Sequence, residues 1–406
     1  MHKNLNSRIL GKNIFVSNDC RKTGLNNNDL IVGVSGSGKT GGYVIPNIEL
    51  ANESMIIADT KGNLHRKYAQ KLKDAGYVVH LLDFVNLDRS ESYNPLDYIK
   101  AGKTEDSCRE QDIITIARAM VPNKTKNDPF WDESARTVVA SLISFVKEAL
   151  PEEEQNLESA LKIFKLLGTA EGSQLFREFE AEKPDSFAIK KYHQYEKSFA
   201  ADRTWACICQ FVTEALELYD LAEANTLFRQ KSSFRFEELG ERKTAVFINI
   251  SDTDRAFDKL VNVFYTQALH ELCTAADKNE NGCLDIPVRI ILDDFATNVY
   301  IPDFDKIISV IRSRGISVSI ILQSISQLET LYTKPQAQTI INGCDHMLYL
   351  GSQDVDTAHF VAIKANKTTD NILNMKLDDA YLFSRGELPR KIEKVPPYQF
   401  NPDAVL

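Results

Sequence analysis

The chain has 406 residues and a net charge of −9 at pH 7; 43% of its residues are hydrophobic and 26% are charged. This length and composition are those of a globular protein that buries most of its apolar surface and divides into two lobes. The negative charge excludes a protein that coats nucleic acid through a generally basic surface, although a pore needs only a local ring of Lys or Arg.

No targeting or membrane segment is recognisable, so we expect a cytoplasmic protein. The most apolar stretch covers only residues 138–146, well short of the ~20 residues that a transmembrane helix requires. The polar amino terminus is unlike a signal peptide. The seven cysteines are scattered without metal-ligand spacing, and we interpret them as reduced thiols. The sequence leaves open whether a membrane anchor is naturally absent or has been removed.

The first hundred residues alternate between strand and helix patterns. Strands are predicted at residues 30–32, 55–58 and 78–82, and helices are predicted after Lys39 and at residues 63–75. This alternation is typical of the parallel sheet of an α/β protein. Asn94 and Pro95, with the polar stretch that follows them, then interrupt the pattern.

The most demanding motif lies directly after the first predicted strand, where residues 33–40 fit G-x-x-x-x-G-K-[ST] in full. In such a P-loop the backbone N–H groups point at a β-phosphate, the lysine supplies charge for the β/γ oxygens, and the last hydroxyl ligates Mg²⁺. The strand-loop-helix context favours this interpretation over a Gly/Ser-rich turn without a ligand. The sequence thus predicts ATP and Mg²⁺ as cofactors. The expected nucleotide-binding residues are Gly33, Ser35, Gly36, Ser37, Gly38, Lys39 and Thr40, with Thr40 also a metal ligand.

Strand patterns stop in the middle of the chain. From about residue 105 to 235 apolar residues recur at helical spacing, as in Val138, Leu142 and Val146. We therefore predict an all-helical insertion at residues 101–235 that divides one nucleotide-binding domain into a first part, 1–100, and a second part, 236–406. Two local features are predicted within it. Phe130-Trp131 is expected to anchor the core, and the basic, aromatic stretch 190–197 to be a solvated helix face rather than a contact for nucleic acid or an acidic partner.

Strands resume at residues 245–250, 288–292, 316–322 and 347–350, and the second of these ends in two carboxylates, Asp293 and Asp294. A buried strand of this kind brings an acidic group to the magnesium of a P-loop ATPase. Asp293 would hold Mg²⁺, and Asp294 stands where a residue that orients the attacking water is expected. An ordinary turn or helix cap is the alternative, which the P-loop in the same chain disfavours.

The next predicted strand is flanked by two further candidates. Arg312 and Arg314 precede it, and Gln323 follows it. A glutamine in this position can hydrogen-bond phosphate or water, and an arginine can neutralise transition-state charge from a neighbouring subunit. A solvated arginine pair and a polar strand end are the alternative interpretation.

Taken together, these motifs resemble the TraG-type coupling ATPases of conjugation and type IV secretion, in the form carried by mobile elements of Gram-positive bacteria. Their order along almost the full chain makes the resemblance specific. The segments that carry it are residues 33–47, 58–62, 93–96, 130–131, 292–296, 312–314 and 322–328.

The resemblance implies a RecA-like P-loop ATPase domain with a parallel-rich twisted sheet, an inserted all-α domain and a homo-hexameric ring. It also implies that ATP drives a relaxase-bound single DNA strand through the ring pore into a secretion channel. The partners would be DNA, the relaxase with its accessory proteins, which the insertion would contact, and the secretion-channel ATPases. The protein would lie at the cytoplasmic face of the membrane, reached through an anchor or a partner. Arg312, eleven residues before Gln323, matches the family's trans-acting arginine better than Arg314.

Three departures from the family pattern define the alternatives. Asp294 replaces a glutamate, Thr60 replaces a proline, and the membrane-spanning amino terminus of the family is not in this sequence. Aspartate reaches roughly 1.5 Å less than glutamate, and a displacement of about 1 Å can cost on the order of a hundredfold in rate, so slow turnover is expected. The alternatives are a soluble DNA translocase of the HerA/FtsK group and a scaffold that assembles on ATP with weak hydrolysis.

Overall fold

The structure is a computed structural model that describes residues 6–104, 107–122, 128–222, 224–228, 230–251, 253–295 and 299–397. The strands are β1 (Ser7–Gly11), β2 (Ile14–Ser17), β3 (Asp29–Val32), β4 (Ser54–Asp59), β5 (Val78–Asp83), β6 (Thr244–Asn249), β7 (Val288–Leu292), β8 (Ile316–Leu322), β9 (His346–Tyr349), β10 (Asp379–Ser384) and β11 (Arg390–Glu393). The α-helices are Cys20–Thr23, Ile45–Glu49, Asn63–Asp74, Glu110–Met120, Phe130–Ala149, Leu157–Phe164, Ala170–Glu182, Phe187–Tyr195, Asp202–Leu216, Asn225–Phe228, Glu238–Glu241, Asp258–Lys278, Phe304–Val310, Ile325–Leu331, Lys334–Asn342, Val355–Ala365 and Thr369–Leu373. Shorter helical turns cover Thr40–Val44, Leu87–Arg89, Pro95–Tyr98, Glu152–Glu154, Glu196–Ala200, Glu217–Asp220 and Ile311–Arg314.

The main sheet has nine strands in the order β11-β10-β9-β3-β8-β7-β4-β6-β5. From β9 to β5 all neighbours pair in parallel, whereas β10 and β11 add to the β9 edge in antiparallel fashion. The seven predicted strands correspond to β3–β9, and their ends differ from the prediction by at most one residue. Because β3, β7 and β8 are parallel, the residues that follow them lie at one edge of the sheet.

Both faces of this sheet are covered. Within β3, Leu30 and Val32 pack into the larger apolar cluster, and Ile31 between them packs into a second cluster with Tyr43 and Ile45. A strand covered on both faces is apolar at most positions, which is why these strands could be recognised as mainly apolar runs.

The described residues between β5 and β6 form helices and an isolated bridge between Ala101 and Cys108, without a strand. We call residues 110–241 the helical region. Its longest helix, Phe130–Ala149, packs against the helices Glu110–Met120, Phe187–Tyr195 and Asp202–Leu216. The helical character of this segment agrees with its sequence pattern, and the domain boundaries at residues 100 and 235 stay a prediction.

One local expectation is wrong: Phe130 is 53% exposed, while Trp131 beside it packs against the core.

Two pairs of strands have no counterpart in the predicted elements. The hairpin β1–β2 is bonded to the sheet edge, since the backbone N–H of Lys12 donates to the carbonyl oxygen of Glu393 at 3.0 Å. Strand β11 carries mostly exposed charged residues and β1 contains the buried Arg8, so neither shows the apolar pattern of the inner strands. Among the described helices, none is both long enough and apolar enough to cross a membrane.

Candidate functional site

The P-loop joins β3 to the helical turn that begins at Thr40. Gly36 and Gly38 adopt φ values of 78° and 98°, which residues with a side chain rarely reach. Gly33 is required for a different reason, because a Cβ there would lie 2.3 Å from the Oγ of Ser37. The motif glycines thus permit the tight loop that the sequence predicts.

Lys39 is folded into this loop. Its Nζ donates to the carbonyl oxygens of Gly33, at 2.7 Å, and of Val34, at 3.2 Å. Burial lowers the pKa of Lys39, while the nearby carboxylates of Asp294 and Asp293 act in the opposite direction. The ammonium group is therefore held inside the loop, where a phosphate would lie.

Thr40 and Asp293 meet although they are 253 residues apart: the Oγ1 of Thr40 donates to the Oδ2 of Asp293 at 2.9 Å. Burial and the charge of Asp294 raise the pKa of Asp293 to about 6 against the opposing hydrogen bond from Thr40. A hydroxyl and a carboxylate are the hard oxygen donors that Mg²⁺ prefers, so this pair fits the ion. No group of three or more His, Cys, Asp or Glu within the described ranges could hold a metal by itself.

Asp294 has an unusual geometry. Its backbone lies at φ 50°, and its N–H donates to the Oδ1 of Asp293 at 3.1 Å. Its own Oδ1 is buried and has no hydrogen-bond partner in the described part of the chain. Such an acceptor calls for a water or a ligand. The contacts therefore suit a water-orienting role, which stays a prediction.

These groups line a cavity of about 730 Å³, which we call the phosphate cavity. Another wall of this cavity is the start of the helix Asn63–Asp74. Asp59 caps this helix, because its carboxylate accepts hydrogen bonds from the N–H groups of Asn63 at 3.1 Å and His65 at 2.9 Å. Site prediction missed the residues of this wall, although the segment 58–62 was noticed for its resemblance. The wall residues are Asp59, Thr60, Lys61, Asn63, Leu64, Arg66, Lys67 and Tyr68.

Gln323 and Arg312 lie at opposite ends of β8. Gln323 follows the strand next to the P-loop, since the N–H of Gly33 donates to the carbonyl oxygen of Leu322 at 3.0 Å. It is half-buried and does not line the phosphate cavity. Arg312 precedes the strand, and seven extended residues span roughly 20 Å. The structure therefore separates Arg312 from the P-loop of its own chain.

The two arginines of this turn have different partners. The Nη2 of Arg312 donates to the carbonyl oxygen of Cys20 at 3.3 Å on an exposed surface. Arg314 forms a two-pronged ion pair with Asp277, at 2.8 and 3.0 Å. Arg314 is thus held by a carboxylate, and Arg312 by a single longer contact.

A buried polar cluster beneath the P-loop is a further feature that the motifs did not reveal. Asp29, at the start of β3, accepts from the Nε of Arg8 at 2.8 Å and from the hydroxyl of Tyr43 at 2.7 Å. Arg289 of β7 lies 3.4 Å from the same carboxylate and also pairs with Glu53. Burial acts to raise the pKa of Asp29, but the two guanidinium groups hold it below its usual value. Tyr43 follows the P-loop, so one carboxylate fixes the chain on both sides of the loop.

Comparisons with known proteins agree with this arrangement. The sequence model of a family described as "Type IV secretory system Conjugative DNA transfer" matches residues 3–387. The plasmid coupling protein TrwB with the ATP analogue ADPNP superposes with a TM-score of 0.71 at 17% identity, over 93% of this chain and 87% of that chain. TrwBdeltaN70 with sulphate gives 0.70 at 16% identity, over 92% and 86% of the two chains.

VirB4 of Thermoanaerobacter pseudethanolicus is more distant, with a TM-score of 0.55 at 13% identity over 91% of this chain and 89% of that chain. No curated protein shows significant sequence similarity. At such identities the likeness concerns the fold. The predicted RecA-like domain with an inserted helical domain is confirmed.

Proposed function

The chain belongs to the type IV secretory system conjugative DNA transfer family, and we propose that it is the ATP-hydrolysing coupling protein of a conjugative secretion system. The observation that carries the proposal is the contact of Thr40 with Asp293 beside the inward-folded Lys39. In P-loop ATPases the phosphate-binding loop and the magnesium carboxylate serve one nucleotide, and here the two meet although they are 253 residues apart.

The residues of the site take distinct roles. The P-loop N–H groups and Lys39 bind the β- and γ-phosphates, and Thr40 with Asp293 holds Mg²⁺. When bound, Mg²⁺ neutralises charge on the phosphate oxygens. The unpaired Oδ1 of Asp294 accepts a hydrogen bond from the attacking water. Gln323, at the end of β8 beside the P-loop, must turn its side chain towards the phosphate cavity to reach the γ-phosphate. TrwB, which shares the fold, has been solved with ADPNP and with ADP and Mg²⁺.

Arg312 completes the site of a neighbouring subunit in this proposal. It stands at the amino end of β8, whereas the P-loop is at the carboxyl end of the parallel strand β3. The length of β8 keeps it away from the nucleotide of its own chain. A head-to-tail ring, here a homo-hexamer, brings the amino-end face of one subunit against the phosphate cavity of the next.

The proposal extends to the partners that the family resemblance implies. A single DNA strand passes through the ring pore, and the helical region contacts the relaxase and its accessory proteins. Secretion-channel ATPases are further partners, and the membrane is reached through an anchor or a partner. Membership of the conjugative family disfavours a soluble HerA/FtsK-like translocase. A scaffold with weak hydrolysis is distinguished from the proposed motor by its turnover.

The test combines Lys39→Ala and Asp293→Asn with Lys197→Ala, an exposed lysine of the helical region, as the control. Lys39→Ala should weaken ATP binding and abolish hydrolysis and DNA transfer, because the charge on the β/γ oxygens is lost. Asp293→Asn should abolish hydrolysis through lost Mg²⁺, and the control should behave like wild type. Unchanged ATP affinity and turnover in Lys39→Ala would refute the proposal. Full hydrolysis without any role in DNA transfer between cells would support the translocase alternative.

A further inference from the structure

Beside the phosphate cavity lies another cavity, of about 540 Å³, which we call the basic cavity. Its wall contains the cationic side chains of Lys61, Arg66, Lys73 and Arg89, and among the described residues Asp83 is the one carboxylate that lines it. Lys61 and Arg66 also line the phosphate cavity, whereas the P-loop does not line the basic cavity. The two cavities are therefore neighbours that share one wall.

The basic cavity lies outside the carboxyl ends of three neighbouring parallel strands. It is lined by Gly62 after β4, Asp83 at the end of β5 and Asn249 at the end of β6. The chain leaves β4 through the helix Asn63–Asp74, which packs into the second apolar cluster. It leaves β6 towards the helix Asp258–Lys278, which packs into the larger cluster on the opposite face of the sheet. Connections that leave adjacent strands to opposite faces open a crevice, and open α/β sheets bind ligands in such crevices.

The four cations lack carboxylate partners in the part of the chain that the structure describes. Lys61, Lys73 and Arg89 form no side-chain ion pair there. The guanidinium of Arg66 donates to two uncharged oxygens at the start of its own helix. All four residues are exposed. Cations that stand together without counter-charges repel one another and are stabilised by a bound anion, so this group indicates an anion site in a chain of net charge −9.

The floor of the basic cavity carries a buried acceptor without a donor. Asn249 is 4% exposed, and its Nδ2 donates to the Oδ1 of Asp83 at 2.7 Å. This contact fixes the orientation of the amide, because a carboxylate accepts hydrogen bonds and the Nδ2 must face it. The Oδ1 of Asn249 is buried and has no hydrogen-bond partner within the described ranges. It calls for a ligand that carries an N–H or O–H donor near its anionic group.

A further part of the wall is an uncharged ring beside apolar side chains. The ring of His65 lies edge-on to the buried Phe247, with 5.3 Å between the ring centroids, and Ala69 and Leu81 line the same cavity. Burial lowers the pKa of His65, and the charge of Lys73 acts in the same direction against nearby carboxylates. The imidazole is therefore neutral at pH 7. Such a ring is a surface on which a nucleic-acid base can stack.

We propose that the basic cavity binds one nucleotide unit, distinct from the nucleotide that the P-loop binds. Its phosphate lies among the four cations, its base lies against the ring of His65, and an N–H group of the base donates to the Oδ1 of Asn249. Nucleotide-binding surfaces combine these three kinds of contact. The unit belongs to a free nucleotide or to a single DNA strand, which present the same phosphate and base. The inference does not depend on ATP hydrolysis at the phosphate cavity.

The first experiment removes two of the cations. Lys73→Ala/Arg89→Ala changes two exposed residues that do not line the phosphate cavity. Lys367→Ala/Arg203→Ala removes the same charge at exposed positions that do not line the basic cavity, and it is the control. The probes are deoxyguanosine monophosphate, titrated by calorimetry, and a fluorescent single-stranded oligonucleotide of mixed sequence, titrated by anisotropy.

Lys73→Ala/Arg89→Ala should weaken the binding of at least one probe about tenfold, because two charge-assisted contacts are lost. The control should bind like the wild type. A loss for the mononucleotide alone identifies a free nucleotide as the source, a loss for the oligonucleotide alone identifies DNA, and a loss for both shows that the site accepts either. Unchanged binding of both probes, or a wild type that binds neither, would overturn the inference. Lys39→Ala should leave this binding intact, and an equal loss there would assign the probe to the phosphate cavity instead.

The second experiment separates the base from the phosphate. His65→Ala removes the ring at a residue that does not line the phosphate cavity. The matched probes without a base are deoxyribose 5-phosphate and an oligonucleotide of abasic sites. His65→Ala should weaken the nucleotide probe about tenfold and leave the base-free probe unchanged. Equal affinity of the wild type for probes with and without a base would overturn the nucleotide unit. Failure of the proposed function looks different, because ATP hydrolysis would be missing in the wild type while these titrations stayed as described.

Discussion

The sheet and the helical region share an apolar core but differ in the further contacts that each one makes. At the sheet, polar groups far apart in sequence meet with defined geometry, as Thr40 with Asp293 and Arg8 with Asp29. In the helical region aromatic rings pack on one another, with 4.2 Å between the ring centroids of Phe176 and Tyr192. The sheet's polar contacts tolerate few residue types, whereas an aromatic core tolerates many apolar ones. Functional residues of the sheet can therefore be predicted from the sequence, whereas for the helical region the sequence predicts mainly an apolar core.

The largest expected effect is the loss of turnover in Arg312→Ala. This variant tests whether the sheet of one subunit supplies an arginine to the nucleotide site of its neighbour. Arg312→Ala should leave nucleotide binding nearly intact and reduce turnover by roughly 10³- to 10⁵-fold, as such arginines do elsewhere. Arg314→Ala is the matched control. It removes the ion pair with Asp277 from the same turn and should reduce turnover far less. Steady-state ATPase rates and calorimetric titration of Mg-ATP measure the two effects.

Mixing variants shows which subunit supplies the arginine. Arg312→Ala contributes an intact P-loop and Lys39→Ala an intact arginine, so about a quarter of the interfaces in randomly mixed rings pair both intact halves. ATPase activity should return in the mixture although neither variant is active alone. With ring assembly and subunit exchange verified separately, a mixture that stays inactive would show that Arg312 does not act across subunits.

In the helical region we expect a substitution to reduce the stability of the fold rather than the rate of ATP hydrolysis. Phe176 is fully buried and stacks on Tyr192, so Phe176→Ala should lower the free energy of unfolding by about 3–5 kcal/mol through the cavity it leaves. Phe130→Ala is the control at an exposed phenylalanine and should cost less than about 1 kcal/mol. Urea denaturation measures both variants. Folded Phe176→Ala should bind ATP like the wild type, and a specific loss of ATP affinity would contradict the division between the two regions.

The same contrast explains what could be predicted from the sequence. The inner strands were predictable because they are mainly apolar runs. The contact of Thr40 with Asp293 was predictable because a P-loop motif calls for a carboxylate at the end of a buried strand to hold its magnesium. Strand β1 was not, since Arg8 inside it is buried by pairing with Asp29, and that pairing is visible only in three dimensions. In the stretch 190–197, the prediction of a solvated helix face agrees with the exposed Lys190, His193 and Lys197 but not with Tyr192 and Tyr195, which are buried in the core.

A third cavity, which lies against the other side of the P-loop, had no sequence signal in most of its wall. Beyond the P-loop itself, this third cavity is lined mainly by residues near 350, 372–379 and 393–397, which belong to three separate segments. Each is an ordinary apolar or turn-like stretch by itself. Only the strand order brings them beside the P-loop, and strand order depends on packing of the whole sheet rather than on local residue patterns.

A smaller effect is expected at Asp294, at the end of β7. It tests how closely the position of this carboxylate controls the rate of ATP hydrolysis. If Asp294 holds the attacking water from too far away, Asp294→Glu should raise turnover about tenfold, because the rate depends steeply on placement. Asp294→Asn should lower it. Asp285→Glu, on an exposed loop, is the control for an added methylene and should have no effect. If both changes at Asp294 left the ATPase rate unaltered, another group would have to orient the water.

The smallest effect is expected on the surface of the helical region. His193 lies between two carboxylates, with Nδ1 2.8 Å from Glu196 and Nε2 2.9 Å from Glu180. The hydrogen bonds to Glu196 and Glu180 raise the pKa of His193 above its usual value. Protonated His193 thus stabilises the folded chain, fully below the pKa of about 6.5 that histidine has when unfolded, and this contribution is lost as the pH rises through the higher folded pKa.

Because His193 is about half exposed, solvent screens these pairs, and the contribution should be below about 1 kcal/mol. His193→Gln should therefore lower the urea midpoint slightly at pH 5.5 and not at pH 9. His359→Gln is the matched control, since the Nδ1 of His359 faces the hydroxyl of Thr369 at 3.3 Å rather than a carboxylate. Its effect should be the same at both pH values. A His193→Gln effect that is equally large at pH 9 would mean that ring packing rather than charge holds this residue, as in the aromatic core beneath it.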